Sequence, residues 1–231
     1  MKHFNRRDVL SLTGLALLTA RAGAAERWIK GRHYHDLGAA AAQGQAPTLK
    51  VTEVFSYGCS GCDAFLPYMQ ALEKKLPAGA VDYLPASWHP AENWPLFQRT
   101  YLAAKALGVD RQAHEAMFAA IWKTGELAIF DPRTRRLKST LPSLQDVARF
   151  YQHVTAVPAE RFVDVAKSFA VDSAIRNAEA RMRVLRPDST PTLVVNDRYR
   201  MDLTSAGGSN QLVEVALFLA GRSPGAAQAA T

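Results

Sequence analysis

The pattern of apolar and polar positions predicts a strand, a helix and a second strand in the first part of the folded chain. Residues 50–57 are dominated by apolar, β-favouring side chains, as in a buried strand. Residues 59–76 carry apolar side chains three and four positions apart, which predicts a helix that is broken or bent at Pro67 and stopped by Pro77. Residues 80–87 predict the second strand.

The rest of the chain changes to a helical period and then returns to strands. Between residues 92 and 186 apolar positions recur with a helical period, interrupted by glycines and prolines. Residues 192–195 and 199–202 predict two short strands joined by an Asn-Asp turn, and residues 211–220 predict a closing helix. The predicted fold class is α/β, with an all-helical insert that interrupts a sheet-forming domain.

The two cysteines of the chain form a C-x-x-C pair where the first predicted strand meets the first predicted helix. The unpaired N–H groups and the positive dipole end of that helix favour the thiolate of Cys59, and Cys62 lies one turn further on. A helix end lowers a thiol pKa by roughly one unit. We expect the rest of any shift to come from hydrogen bonds made by Ser60 and Gly61, which lie between the cysteines. The pair predicts thiol–disulfide chemistry.

Other uses of a C-x-x-C pair fit the sequence less well. A structural zinc site needs four ligands, and the chain has neither a second cysteine pair nor histidines at ligand spacing. Attachment of a c-type haem needs a histidine where Asp63 stands. A purely structural disulfide would close too small a loop to stabilise the fold much. We therefore expect no metal and no cofactor beyond the cysteine pair, and we expect Trp88 and Trp94 to be core residues.

Residues 1–24 predict a cleavable export signal. Basic residues at the start are followed by a short apolar stretch and by a small-x-small cleavage site that ends at Ala24. Arg6 and Arg7, with the residues after them, resemble the twin-arginine class, although an ordinary secretion signal shares the basic start and the apolar core. No other segment approaches the roughly 18 apolar residues that a membrane span needs. We therefore expect a soluble mature protein in the periplasm, where a disulfide can be kept oxidised.

The charge of the chain argues against a nucleic-acid partner. The sequence has 28 Lys and Arg against 21 Asp and Glu, a net charge of +7. The signal carries four of the basic and one of the acidic residues, so the mature chain carries +4, without a basic stripe interleaved with aromatic side chains. The densest basic cluster lies within residues 133–138. We expect a solvated loop there, with an interaction patch as the alternative.

Three local features resemble the DsbA-like bacterial thiol oxidoreductases, which have a thioredoxin fold. They are the run from Glu53 to Cys62, the size of the helical insert, and the sequence Ser189-Thr190-Pro191-Thr192 before a short strand. The resemblance covers nearly all of the mature chain. We divide the chain accordingly into an export signal at 1–24, thioredoxin-like parts at 25–91 and 187–231, and a helical insert at 92–186.

The resemblance implies a role for each site residue. Cys59 would be the exposed sulfur that exchanges with substrates, and Cys62 the buried partner that resolves the mixed disulfide. Glu53, on the buried strand, matches the acidic residue that the family uses beneath the active site, where it would carry the proton of Cys62; an exposed strand-edge glutamate is the alternative. Pro191, preceded by a cis peptide bond, would leave the backbone of Thr190 free to pair with an extended substrate segment.

Two departures from the family's pattern bear on the activity. Oxidising members usually have a histidine where this chain has Gly61, which predicts an oxidant milder than the strongest members. Thr190 stands where strong oxidases commonly have valine, whereas threonine is more usual in isomerase-like relatives and some oxidases. This second difference leaves the handling of substrates open.

The predicted function is that of a thiol:disulfide oxidoreductase that introduces disulfide bonds into exported, cysteine-containing polypeptides. The family's usual partner for reoxidation is a quinone-linked membrane protein of the DsbB type, and we expect a monomer. One alternative is a periplasmic reductase or isomerase, although residues 25–48 are too short for the dimerisation domain that isomerases of this fold add. The other alternative is a non-catalytic, peptide-binding chaperone.

Overall fold

The computed structural model describes residues 27–38 and 49–222. The predicted export signal lies outside the described residues. Within the described ranges, no helix is long and apolar enough to cross a bilayer.

The centre of the molecule is a five-stranded mixed sheet in the order β1-β5-β4-β2-β3. Only β2 and β3 run parallel to each other; the other neighbouring strands pair antiparallel. The interior strand β2, which lies between β4 and β3, is buried along its whole length, because its β-branched and aromatic side chains have partners on both faces of the sheet. The strands are β1 His35–Asp36, β2 Val51–Phe55, β3 Val81–Pro85, β4 Thr192–Val195 and β5 Tyr199–Asp202.

Eight α-helices surround this sheet in the described part of the chain, and five of them lie between β3 and β4. That position is the one the sequence predicts for the helical insert. A short 3-10 turn, Pro90–Glu92, precedes the first of the five. The helices are α1 Ser60–Glu73, α2 Trp94–Ala106, α3 Asp110–Trp122, α4 Leu144–Thr155, α5 Ala159–Ala166, α6 Phe169–Leu185, α7 Leu203–Ala206 and α8 Ser209–Gly221.

The two faces of the sheet carry different cores. Val51 and Phe55 of β2 pack in the larger core, which also contains apolar side chains of α1, α3 and α8. Val54 points to the opposite face and packs with side chains of α6. Because side chains alternate along a strand, Glu53 lies on the same face as Val51 and Phe55, the face that α1 covers.

Ion pairs join the helical insert to the sheet. Arg181 of α6 contacts Asp82 of β3 at 3.0 Å and Asp197, in the turn between β4 and β5, at 2.6 Å. Arg181 also donates a hydrogen bond of 2.7 Å to the Thr52 hydroxyl. Partial burial alone would raise the pKa of Asp82, but the Lys105 ammonium and the neighbouring cations outweigh it and lower that pKa to about 2. These contacts hold the insert against the sheet, including β2, the strand that leads to the cysteines.

Most predicted elements are confirmed. They include the turn between β4 and β5, which has positive φ at Asn196 and Asp197, as its type requires. Three details differ from the prediction. Helix α1 is not broken at Pro67, because the packing of its apolar face outweighs the loss of one hydrogen bond. Two short elements were not predicted. These are β1, which pairs with the edge of β5, and α7, which is capped by the side chain of Asp202.

Candidate active site

Cys59 is the N-cap residue of α1. Its backbone is extended, with φ −92° and ψ 114°, and its Sγ accepts a hydrogen bond of 3.3 Å from the Cys62 N–H. The sulfur thus takes the position of a capping oxygen at the positive end of a 14-residue helix. Cys59 is half-buried and Cys62 is 1% exposed; both are free thiols, so the structure shows the dithiol form.

Hydrogen bonding lowers the pKa of Cys59 from 9.0 to about 6. The largest cause is the hydrogen bond from the Cys62 thiol; partial burial opposes it, and the Thr190 side chain and the N–H groups of Cys62 and Gly61 add smaller contributions. We expected Ser60 and Gly61 to supply this stabilisation. That expectation is wrong for Ser60, because its exposed side chain makes no hydrogen bond within the described residues and is not among the groups that lower this pKa.

The environment of Cys62 has the opposite effect. Burial raises the pKa of the Cys62 thiol well above its usual range, and the charges of Cys59 and Glu53 raise it further. Glu53 is 2% exposed, so it is not a strand-edge surface residue. Burial raises the pKa of its carboxyl well above 4.5, and the Cys59 thiolate adds to the shift. Two acids therefore lie beneath the helix tip, and both favour the protonated form.

Thr190 and Pro191 border the cysteines on one side. The peptide bond between them is cis, as the resemblance implied, and the Cys59 thiol donates a hydrogen bond of 3.5 Å to the Thr190 carbonyl. Gly61 faces the same loop: a Cβ built there would lie 3.5 Å from Pro191 Cδ and 3.6 Å from the Thr190 oxygen. A side chain at position 61 would therefore be in ordinary van der Waals contact with the proline.

Two tryptophans support the residues before Cys59, and sequence reasoning missed both contacts. Trp122, at the end of α3, donates an indole hydrogen bond of 2.8 Å to the Tyr57 carbonyl. Trp94, a core residue as expected, lies so close to Gly58 that a Cβ at Gly58 would be 2.5 Å from its Nε1. The glycine directly before the cysteine was the only signal in the sequence of this close approach.

The structure brings the seven predicted site residues to one end of the sheet, around the start of α1. Ser60 is exposed, Cys59, Gly61 and Thr190 are half-buried, and the other three are buried. No group of three His, Cys, Asp or Glu side chains in the described ranges could hold a metal ion. The nearest buried histidine, His114, contacts the Tyr57 hydroxyl at 3.1 Å, and burial lowers its pKa to about 3.

The chain was compared with family models, curated proteins and solved structures. No family model matches it. The thiol:disulfide interchange protein DsbA of Azotobacter vinelandii is 30% identical over 190 residues, which are 82% of this chain and 81% of that protein. DsbA of Pseudomonas aeruginosa is 28% identical over 210 residues, 90% of this chain and 92% of that protein.

Solved structures show the same architecture. The crystal structure of Pseudomonas aeruginosa DsbA has a TM-score of 0.72 and 29% identity, and the match covers 88% of this chain and 98% of that one. The oxidoreductase DsbA of Xylella fastidiosa has a TM-score of 0.68 and 28% identity, with 82% and 94% covered. These matches confirm the predicted thioredoxin fold with a helical insertion.

Proposed function

Since this chain belongs to the DsbA family and is a protein disulfide oxidoreductase that introduces disulfide bonds, we propose that Cys59 exchanges with the client and that Cys62 is its buried partner. The observation that carries this assignment is the opposite direction of the two pKa shifts. Cys59 has a pKa of about 6, whereas burial raises the pKa of Cys62. The sulfur that is accessible is also the one that is stable as an anion.

Disulfide donation begins with the oxidised protein, in which Cys59 and Cys62 are bonded. A client thiolate attacks Sγ of Cys59, a client–Cys59 bond forms, and the Cys59–Cys62 bond breaks with its electron pair on Cys62. The buried Cys62 sulfur then takes a proton, because burial disfavours its thiolate.

The second step releases the client. A second client thiolate attacks the client sulfur of the mixed disulfide, and Cys59 leaves as a thiolate. Its leaving is favoured because the Cys62 thiol, the Thr190 side chain and two backbone N–H groups stabilise the anion. The client now holds a disulfide, and the protein holds two electrons and the dithiol seen in the structure. During reoxidation Cys62 resolves the mixed disulfide that Cys59 forms with the oxidant.

Glu53 supplies and removes the proton of Cys62 in this scheme. Burial holds its carboxyl in the protonated form at pH values where an exposed glutamate is ionised, so it can donate to the departing Cys62 sulfur. Its place on β2, on the face that α1 covers, supports this role. When Cys62 must act as a nucleophile, the carboxylate takes the proton back.

Thr190 and Pro191 bind the client backbone beside Cys59. The Thr190 carbonyl lies 3.5 Å from Cys59 Sγ, so an extended client segment that reaches the sulfur passes within hydrogen-bonding range of this residue. Gly61 packs on the proline loop without filling the space above Cys59. We propose that Ser60 and Gly61 leave the approach to the sulfur open.

The clients are exported polypeptides that contain cysteines, and the protein works in the periplasm. We propose that residues 1–24 are a cleavable export signal of the twin-arginine class and that the protein acts as a monomer. A DsbB-type membrane protein reoxidises it, and it needs no cofactor besides the cysteine pair. From the family resemblance we also propose thioredoxin-like parts at 25–91 and 187–231 and a helical insert at 92–186. The insert contains the five central helices.

Oxidation of a dithiol peptide tests the assignment. The oxidised protein should form the peptide's disulfide stoichiometrically, and Cys59→Ser should abolish this while leaving peptide binding measurable by fluorescence anisotropy. A Cys59→Ser variant that still oxidises the peptide would overturn the role of Cys59. Equilibration against glutathione should give a reduction potential between about −120 mV and about −270 mV, the values of strong oxidases and of thioredoxin; a potential at or below the lower limit would favour a reductase.

A further inference from the structure

A cavity opens beside the active site on the side of Ser60. It has a volume of about 660 Å³ and lies between the end of α3 and the loop at residues 125–138. This size is within the range of sites that bind small molecules or peptide side chains. Ser60 forms part of the lining, so the cavity begins one residue from the sulfur that exchanges with clients.

The apolar walls of the cavity are held in place by contacts to the active-site strand. Trp122 forms one wall, and its indole N–H is bonded to the Tyr57 carbonyl, two residues before Cys59. Phe130 forms the next wall and stacks on Trp122, with the ring centroids 5.8 Å apart. A bridge between Phe130 and Leu137 closes the loop into a small hairpin. The cavity is therefore built into the fold and is not a gap between mobile side chains.

The polar lining of the cavity is mainly cationic. Lys123, Arg135 and Lys138 line it, and the one acidic residue of the lining, Asp131, uses its carboxylate to accept hydrogen bonds from the N–H groups of Arg133 and Thr134. Lys123 lies 3.9 Å from Asp63. Arg135 and Lys138 form no ion pair within residues 27–38 and 49–222. Lys138 also interacts electrostatically with the Asp131 carboxylate, so the lining carries three cations against one carboxylate and has a net positive charge.

We propose that this cavity is a subsite for a carboxylate side chain of the client, next to the client cysteine. This proposal rests on the proposed function and specifies which clients the site prefers. Arginine and lysine bind carboxylates through charge-assisted hydrogen bonds, and the tryptophan and phenylalanine rings form apolar walls beside them. Under this proposal Arg135 and Lys138 of the basic cluster at residues 133–138, for which the sequence left two interpretations, belong to an interaction patch.

The position of the cavity selects a client segment as the occupant. Thr190 borders Cys59 on one side and Ser60 opens the cavity on the other, so a polypeptide seated at the sulfur extends from one to the other. An acidic residue two or three positions from the client cysteine would lie about 7 to 10 Å along an extended chain. Opposite charge at this distance also accelerates encounter at low salt.

Peptide oxidation kinetics test the subsite. Three dithiol peptides would carry Glu, Gln or Lys at two and three positions on either side of the attacking cysteine. The oxidised protein should react with the Glu peptide about fivefold to tenfold faster than with the Gln peptide at low salt, and the Lys peptide should be slowest. The double variant Arg135→Glu and Lys138→Glu should remove or reverse this order.

The hairpin offers a matched control. Arg133→Glu with Arg136→Glu makes the same change of net charge on the same loop, but neither residue lines the cavity. This control should keep the preference for Glu, and both double variants should oxidise dithiothreitol at the unchanged rate.

Equal rates for the three peptides, or an equal loss of preference in both double variants, would overturn the subsite and leave the proposed function intact. Failure to oxidise dithiothreitol and every peptide would instead contradict the proposed function itself.

Discussion

The two cysteines lie one helical turn apart, yet their surroundings act on them in opposite directions. Cys59 is at the accessible start of α1, where the Cys62 thiol, Thr190 and two N–H groups lower its pKa to about 6. Cys62 is buried in the first turn of the same helix, where burial and the charges of Cys59 and Glu53 raise its pKa. The pKa values of a C-x-x-C pair therefore separate because hydrogen-bond donors lie at the helix start and because the second cysteine is desolvated beneath it.

This asymmetry explains why the reduced protein is favoured. The pKa of Cys59 is lower in the folded dithiol than in an unfolded chain, so its thiolate stabilises the reduced fold at pH above 9. The stabilisation declines as the pH falls towards 6 and disappears below it. A stable dithiol accepts electrons from clients, which is the property of an oxidase. The value of about 6 lies between about 3.5 for a strong oxidase and about 7 for thioredoxin, so we expect an oxidant milder than the strongest ones.

We expect the greatest loss of activity when the Cys62 sulfur is removed. Cys62→Ser leaves Cys59 without a partner, so the protein cannot form its own disulfide and cannot donate one. Mixed with a client that already contains a disulfide, the variant should accumulate a stable client–Cys59 adduct, visible by non-reducing electrophoresis. Wild type should show almost none. Rapid release of the client from the variant would contradict the assignment of Cys62.

The next substitution removes the acid of Glu53, which is buried beneath the cysteines. Glu53→Gln removes the proton carrier, so we expect exchange at neutral pH to slow by about tenfold to a hundredfold, measured by stopped-flow fluorescence. The variant should also be more stable than wild type at high pH. The raised pKa of Glu53 means that wild type has this contribution in full below pH 4.5 and loses it as the pH rises towards the folded pKa.

Thermal unfolding at several pH values checks the stability of Glu53→Gln. The variant and wild type should have similar midpoints in acid and should diverge as the pH rises. A surface change such as Glu214→Gln is a control that should not diverge in this way, because Glu214 is partly exposed and pairs with Arg27. Unchanged exchange rates across neutral pH would reject the proton-carrier role.

The third substitution adds a hydrogen-bond donor beside the Cys59 sulfur. Gly61→His fits without a clash, because a Cβ there would be 3.6 Å from Cys59 Sγ and the backbone needs no positive φ. We expect the pKa of Cys59 to fall by about one unit and the reduction potential to rise by about 30 mV, a tenfold change in the exchange equilibrium. Gly61→Asn is the uncharged control and should change both values less. An unchanged potential would show that position 61 does not tune the sulfur.

The last substitution removes a hydrogen-bond donor beside the Cys59 sulfur, and we expect it to change the protein least. Thr190→Val deletes the hydroxyl with little change of volume, and we expect the pKa of Cys59 to rise by less than about one unit. Thr192→Val is the matched control, because the Thr192 hydroxyl donates 2.8 Å to the Ser189 carbonyl and not to the sulfur. If both variants shift the thiol equally, the loop acts through its packing and not through the hydroxyl.

The sequence predicted the order of elements and the place of the cysteines because both follow from local patterns. Strands β4 and β5 have the predicted bounds, since an apolar run precedes the Asn-Asp turn and a segment of alternating apolar and polar residues follows it. The cysteines at a strand-to-helix junction predicted a lowered pKa for Cys59, since the helix tip is a property of the same segment.

Long-range contacts could not be predicted in this way. The bond from Trp122 to the Tyr57 carbonyl joins residues 65 positions apart, and no local pattern marks it. The interaction of Cys59 with Thr190 spans 131 positions and was inferred only through the family resemblance. The cavity beside Ser60 depends on how the hairpin at residues 125–138 folds back on α3, so the sequence could not choose between a solvated loop and an interaction patch for its basic residues.

The pH dependence of Cys59 alkylation measures directly whether Cys59 is a thiolate at neutral pH. Iodoacetamide reacts with the thiolate, so its rate with the reduced protein reports the ionised fraction of Cys59, while the buried Cys62 is protected. The rate should rise with pH, pass its midpoint near pH 6 and stay level at neutral pH. A midpoint near 9, the ordinary value for a thiol, would contradict the account.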